Sequence, residues 1–420
     1  MTTPGNRFLA RLPLFAAFAL MPLAVLAGRL AGRSEAFRAY GPQGLALWLS
    51  LAGLALAVCL GRSVRAETRQ HRPAWPGLAL AAVLGAAVLA ELRYLSPALS
   101  QAQNLAPLLD ELHLPALALF AAAWVWSFGA PPREDLARLG GGLGALVLLD
   151  FLLTAIMARQ VVLGGGLLLG GGQAGADTLA FLLCLALAAA LDRAEAHQLR
   201  LSRWLILAGL LATFSRAGLA AAGLILLVLE RGPLRERLAL ACACVLAIWM
   251  SLALPLSRPL TGSDELDLAW HLSATLEALT QNPGAWLTGL PLSEPMALAL
   301  PDAQDLGGLD WDPESSGLPI SVYDIPSSGL RLLAAWGAPG PLLVLAALLA
   351  CALRSARRGR RRFGLGLLIA TLPAAALTPV LHTPATAGAL ALACALAWAD
   401  TSAETPGQGP ERPPAAGCAD

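Results

Sequence analysis

Residues 204–230 read WLILAGLLATFSRAGLAAAGLILLVLE. The stretch is apolar from end to end apart from Thr213, Ser215, Arg216 and the closing Glu230. Two readings are open. One continuous helix would hold the Arg216 guanidinium near a bilayer centre, at a cost of roughly 2.5–3.5 kcal/mol on insertion scales. Two short spans that turn at Ser215-Arg216 would place the charge at a membrane edge. The cost favours the turn, and the turn sets the direction of every later span.

Apolar blocks recur on both sides of this stretch, near 12–31, 43–61, 75–92, 113–130, 141–158, 177–192, 204–214, 217–230, 238–255, 334–353, 363–380 and 384–399. Most match the length of about 17–25 residues that crosses a hydrocarbon core. Composition agrees. The chain is 57% hydrophobic and only 14% charged, with a mean hydropathy of +0.64, whereas soluble domains average roughly 25% charged residues. The expectation is an all-α, polytopic membrane protein with about 12 transmembrane helices and one large external loop between spans 9 and 10. Residues 1–255 would hold spans 1–9, residues 256–333 the external loop, and residues 334–400 spans 10–12. Residues 401–420, rich in Pro, Gly and Ala, would form a disordered cytoplasmic tail. The first block lacks a small-residue cleavage site in the right place and reads as a span.

Arginine placement gives the orientation. One set of connections carries Arg62, Arg65, Arg69 and Arg72, then Arg133 and Arg138, then Arg193, Arg200 and Arg203, then Arg231, Arg235 and Arg237, then the run from Arg354 to Arg362. These alternate with Arg-poor connections, and both termini are expected in the cytoplasm. The first external loop runs against the trend with Arg29, Arg33 and Arg38. Segment 256–333 falls on the Arg-poor side and is acidic, with Asp264, Glu265, Asp267, Glu277, Asp302, Asp305, Asp310 and Asp324 among its carboxylates and only Arg258 opposing them before Arg331. Within it Leu268, Leu272, Leu276 and Leu279 recur at helical spacing and predict a helix over 265–282 that stops at Asn282-Pro283-Gly284.

The net charge of +1 offers no electrostatic footprint for nucleic acid. Of the seven cysteines all but Cys418 lie in or beside apolar blocks and read as small hydrophobes. No Cys or His spacing implies a disulfide framework or a metal site. The glycines at 164–166 and 170–172 read as a loop, since a phosphate cradle would need a Lys-Ser/Thr signature as well.

Several residues carry candidate chemistry. Arg216, with Ser215 before it, presents a planar fork of donors suited to a phosphate or diphosphate at the outer leaflet; it equally suits lipid head groups by snorkelling. The same two readings apply to Arg331, at the start of the tenth span. The helix around Trp270-His271, followed by Trp286-Leu287-Thr288-Gly289, reads as an amphipathic element on the membrane surface, or as a lid without chemistry. His113 and His382 sit at external membrane edges. Asp150, in span five, is the single intramembrane carboxylate that a small-solute transporter would need.

Taken together, Ser215-Arg216-Ala217-Gly218, the helix from Trp270 to Pro283 with Gly289 after it, and Ser327, Leu330 and Gly337 at the loop exit resemble the O-antigen ligase/polymerase superfamily of bacterial envelope glycosyltransferases. The resemblance covers roughly residues 160–350. It departs at two points: the family's catalytic His at the loop exit falls on Pro326, and the family's second Arg has no clean match, Arg258 lying a few residues early. The resemblance implies transfer of a polyprenyl-diphosphate-linked glycan to a sugar, lipid or protein acceptor at the outer leaflet of the inner (cytoplasmic) membrane, with no metal and no cofactor. Arg216 and Ser215, with Arg258 and Arg331, would hold the donor diphosphate. His271, or after it Asp324, would replace the lost base as catalytic residue. The alternative is a non-catalytic scaffold that binds lipid-linked glycan in the same membrane.

The topology has a direct check. A single cysteine at Asp310→Cys, in a variant whose native cysteines are replaced, should react with a membrane-impermeant maleimide from outside the membrane. Labelling only after permeabilisation would reverse the orientation.

Overall fold

The structure is a computed structural model, and it describes residues 4–30, 106–158, 173–192, 197–253, 263–291, 322, 325–356 and 362–399. Helices fill it, and no strand occurs among the described residues. In chain order they are α1 (Pro4–Phe15), a π-helical turn (Ala16–Leu20), α2 (Met21–Leu30), α3 (Ala106–Phe128), α4 (Arg133–Ala158), α5 (Gln173–Asp192) and α6 (His197–Thr213). There follow α7 (Arg216–Leu229), α8 (Leu234–Ala253), α9 (Ser263–Gln281), α10 (Ala285–Thr288), α11 (Ser328–Trp336), α12 (Pro339–Ala356), α13 (Phe363–Leu377) and α14 (Pro384–Ala399). Each apolar block named above coincides with a helix, except 43–61 and 75–92, which lie outside the described residues along with the tail at 401–420.

Four stretches are long and apolar enough to cross a membrane: Phe8–Leu26, Arg133–Ile156, Gly175–Asp192 and Pro339–Ala356. Shorter apolar helices stand beside them at His113–Phe128, Arg216–Leu229, Phe363–Leu377 and Pro384–Ala399. Many apolar side chains also point outward. On α8, Val245, Leu246 and Trp249 are each more than half exposed. Such a face has no place in water and an obvious one in lipid. The described residues are all-helical, and their apolar helices are those of a membrane protein.

Helix α5 is the axis of the bundle. Its apolar window is 94% buried, and α4, α6, α7, α13 and α14 all pack on it. A helix that is apolar all round must be enclosed on all sides. Small residues make the enclosure possible. A Cβ built on Gly140 of α4 would stand 2.1 Å from the Ala186 Cβ, one on Gly218 of α7 would stand 2.4 Å from the Ala180 Cβ, and one on Gly366 of α13 would stand 2.6 Å from the Ala188 Cβ. Backbone approach of this kind gives close packing where lipid removes the hydrophobic drive between helices.

The stretch 204–230 turns, as the cost of a buried Arg216 requires. Phe214 takes a left-handed φ of 49° and ends α6. Ser215 then caps α7, its hydroxyl accepting from the Gly218 N–H at 3.1 Å. At the far ends of the two helices Arg203 Nη2 meets Glu230 Oε2 at 2.6 Å. That pair is possible only if α6 and α7 run antiparallel.

The same far end gathers most of the described arginine connections. Asp192, at the end of α5, takes Arg133 Nη1 at 2.5 Å and the backbone N–H groups of Arg362 and Phe363 at 2.6 and 3.0 Å. It thereby caps α13 from another helix. Arg354 Nε donates to the Trp398 carbonyl at 3.3 Å, and Arg11 meets Asp135 at 2.5 Å. This Arg-bearing end is called the lower end here, and the end with Ser215 the upper end. Several helices start earlier than their apolar blocks, among them α6, at His197 and not near 204. α4 begins at Arg133 and not near 141, because Pro132 ends the preceding connection and Glu134 and Asp135 suit a helix N-terminus. α3 begins at Ala106 and not near 113.

At the upper end, α10 is fastened to α11 through backbone groups. Leu290 N donates to the Ala334 carbonyl at 2.6 Å and Ala338 N to the Trp286 carbonyl at 2.7 Å. Gly289 (φ 79, ψ 168) and Gly337 (φ 67, ψ −167) occupy a backbone region nearly closed to other residues. A Cβ on Gly289 would also lie 2.0 Å from the Ala335 carbonyl oxygen. Gly289→Ala should therefore destabilise the fold by about 1–3 kcal/mol, seen as a lower melting temperature in detergent. Gly142→Ala, where the added methyl meets nothing within 4 Å, should leave the melting temperature unchanged or slightly raised.

Candidate functional site

Two polar constellations stand at the upper end. The first is the turn between α6 and α7. The Thr213 hydroxyl donates to the Leu210 carbonyl at 2.7 Å and accepts from Ser215 N at 3.3 Å. The Ser215 hydroxyl donates to Asp177 Oδ1 at 2.5 Å. Ser215 is thus bonded on both sides, to Asp177 and to the cap of α7, and its role is to fix the turn. Arg216 follows as the first residue of α7. It stands at a helix N-terminus, where the helix dipole favours an anion.

The second constellation joins two candidates from the sequence, Arg331 and His382, to a carboxylate the sequence did not single out. Glu111, in the first turns of α3, is 2% exposed. Its Oε1 takes Arg331 Nε at 2.5 Å. Its Oε2 lies 3.4 Å from Trp336 Nε1 and 3.2 Å from His382 Nε2. Arg331 and Trp336 belong to α11, and His382 to the connection between α13 and α14. Arg331 is therefore buried in an ion pair and does not reach out to lipid head groups.

Local bonding explains how these residues are aimed. Ser327 caps α11 by accepting from Leu330 N at 3.3 Å, and its hydroxyl donates to the Ala375 carbonyl of α13 at 3.1 Å. Ser328 N donates to the Thr378 carbonyl at 3.0 Å, while the Ser328 hydroxyl accepts from Leu381 N at 2.9 Å. The start of α11 is thus stitched to the connection that carries His382. Pro326 precedes this cap, where its fixed φ suits the entry to a helix.

Of the other residues anticipated from sequence, His271 lies on α9 and is buried, its carbonyl accepting from the Thr275 hydroxyl at 2.7 Å. α9 packs against α11, with Leu279 in a small core beside Ala285, Leu290, Ile325 and Ala334. Arg258 and Asp324 lie outside the described residues. Asp150 is buried within α4, 3.4 Å from the Thr154 hydroxyl. Among the described residues no group of three or more His, Cys, Asp and Glu could hold a metal ion. No family model matches the chain, and none of the curated proteins matches it.

Glu111 leaves one trace in the sequence: Asp110-Glu111 and His113 stand together at the head of an apolar block. Its partners, however, lie 220 and 271 positions away. A buried carboxylate held this way should be costly to remove, since the Arg331 guanidinium stays behind without its counter-charge. Glu111→Leu is expected to destabilise the protein by about 3–5 kcal/mol. The double variant Glu111→Leu/Arg331→Leu should recover a large part of that loss, because both charges go together. Melting curves of the three proteins in one detergent decide the point.

Proposed function

We propose that the chain is a membrane glycan ligase or polymerase of the O-antigen ligase type. It takes a glycan from a polyprenyl diphosphate in the outer leaflet of the inner membrane and transfers it to a sugar, lipid or protein acceptor. The full topology in this reading has about twelve spans, both termini in the cytoplasm, and segment 256–333 outside. The lower end of the bundle then faces the cytoplasm and the upper end the external side.

One observation carries the reading. Arg216 at the N-terminus of α7 and the buried Glu111–Arg331–His382 cluster share the upper end, opposite the end that gathers arginine connections. A lipid-linked diphosphate presents its charge at the membrane edge, where Arg216 stands. Breaking the bond from sugar to diphosphate develops negative charge on the leaving oxygen. A fixed guanidinium beside helix N–H dipoles stabilises that charge without reorganising. Ser215, Asp177 and Thr213 hold the turn that aims it. The motif order from Ser215 to Gly337 adds support, with the helix Ser263–Gln281 falling between.

The decisive experiment reconstitutes purified protein in lipid with a polyprenyl-diphosphate-linked glycan and a panel of acceptors. Arg216→Ala should lower transfer by about 10²–10³-fold, the range seen when one transition-state donor is lost. Arg216→Lys should fail almost as badly, because a point charge does not reproduce the fork. Wild-type transfer in Arg216→Ala, at equal protein level, would remove the residue from the mechanism. Donor binding by a wild type that transfers to no acceptor would favour a scaffold.

A further inference from the structure

The two ring nitrogens of His382 have different surroundings. Nε2 faces Oε2 of Glu111 at 3.2 Å. Nδ1 is buried and meets no hydrogen-bond partner among the described residues. The side chain as a whole is 5% exposed. A buried polar atom without a partner is rare enough in folded proteins to require a reason. Here the neighbours supply one. The Glu111 carboxylate is already balanced by Arg331, whose Nε sits on the other oxygen. The imidazole closes the cluster on the side of Oε2. Its proton belongs on Nε2, directed at Glu111, and its lone pair on Nδ1; this tautomer follows from the bonding pattern. The backbone holds the ring in place. His382 N donates to the Pro379 carbonyl at 3.0 Å, and Leu381 N to the Ser328 hydroxyl. A carboxylate that orients an imidazole, and leaves its other nitrogen without a hydrogen bond, is the arrangement by which a histidine takes a proton from a hydroxyl.

We infer that His382 is the general base of the reaction, oriented by Glu111, and that the structure thereby restores from another connection the histidine lost at Pro326. The inference rests on the glycan-transfer reading above. The acceptor hydroxyl donates to His382 Nδ1. As its oxygen bonds to the anomeric carbon, the bond from that carbon to the diphosphate oxygen breaks, and the electron pair leaves with polyprenyl diphosphate. The hydroxyl proton passes to Nδ1, giving an imidazolium that faces the Glu111 carboxylate. It is then released to water, which returns the neutral ring. Glu111 is a positioning residue in this scheme, and so is Arg331, whose Nε holds the other Glu111 oxygen. The charged groups at the ring are Glu111 on α3, which it meets directly, and Arg331 on α11 on the other Glu111 oxygen.

The test uses the full chain in lipid nanodiscs with the same lipid-linked donor. His382→Gln keeps a side-chain N–H for Glu111 but cannot accept a proton at the open position. It should fold with an unchanged melting temperature, bind donor as the wild type does, and lose transfer by about 10²–10⁴-fold in kcat. Added imidazole should restore part of the activity of His382→Ala, an effect that a merely structural role would not produce. Transfer by His382→Gln at the wild-type rate would overturn the assignment while leaving the glycan reading intact, and a wild type that transfers nothing would overturn both. In the wild type, diethyl pyrocarbonate should inactivate transfer in step with modification of His382, with the donor and acceptor together protecting it. This arm holds even if the variants do not fold, and inactivation that follows His271 instead would overturn the proposal.

Discussion

A carboxylate that is almost wholly buried must be neutralised where it stands, and Glu111 is neutralised by Arg331. Much of the upper end is arranged around that requirement. An ion pair out of water holds only if its geometry is good and its remaining lone pairs are satisfied. Arg331 takes one oxygen, and Trp336 and His382 share the other. The pair thus draws three separate parts of the chain together: the head of α3, the short helix α11, and the connection from α13 to α14. α11 in turn is fixed by serine caps and by the backbone pairing of α10 with the Gly337 turn. A buried pair of this kind is weak evidence for stability in itself. Its effect is to specify one arrangement of the site.

That arrangement stands on a scaffold of small residues. α5 is enclosed by other helices because Ala180, Ala186 and Ala188 meet Gly218, Gly140 and Gly366 with no intervening side chain. Helix propensity argues against the glycines of α4, where Gly140, Gly141, Gly142 and Gly144 fall within five positions. Packing decides otherwise, since Gly144 and Gly209 bring α4 and α6 into backbone contact. The contact between Gly218 and Ala180 also sets the height of the Arg216 turn. Asp177 lies one turn from Ala180 on α5, and Ser215 lies just before Gly218 on α7, so closing the helix contact brings the Ser215–Asp177 hydrogen bond within reach.

The two ends of the bundle differ in chemistry in a way that fits the function proposed. At the lower end the charges are matched at close range: Arg133 with Asp192, and Arg203 with Glu230. Asp192 also caps α13, so the end is a set of structural locks. At the upper end Arg216 lies at a helix N-terminus, and the buried His382 Nδ1 has no hydrogen-bond partner among the described residues.

Much of the helix layout follows from local chemistry. Blocks such as 177–192 and 384–399 are apolar enough to show their helices directly, and the cost of burying Arg216 locates the turn at 213–216. The helix at 263–281 is written in its leucine spacing, and its stop in Asn282-Pro283-Gly284. These features are readable because the physics that causes them acts over a few residues. The site is a different matter. Hydropathy starts α3 at the apolar residues near 113 and so leaves Glu111 in a connection, whereas hydrogen bonding carries the helix back to Ala106. Arg331 reads as a snorkelling interfacial residue until its counter-charge is known, and His271 attracts notice because it is the histidine of the acidic segment. His382 becomes distinctive only when folding sets it beside a carboxylate 271 positions earlier. Sequence determined that this protein is helical, apolar and turned at Ser215. Only the tertiary structure decided which charges are buried together, because the neutralising partner of a buried group is chosen by three-dimensional proximity and not by spacing along the chain.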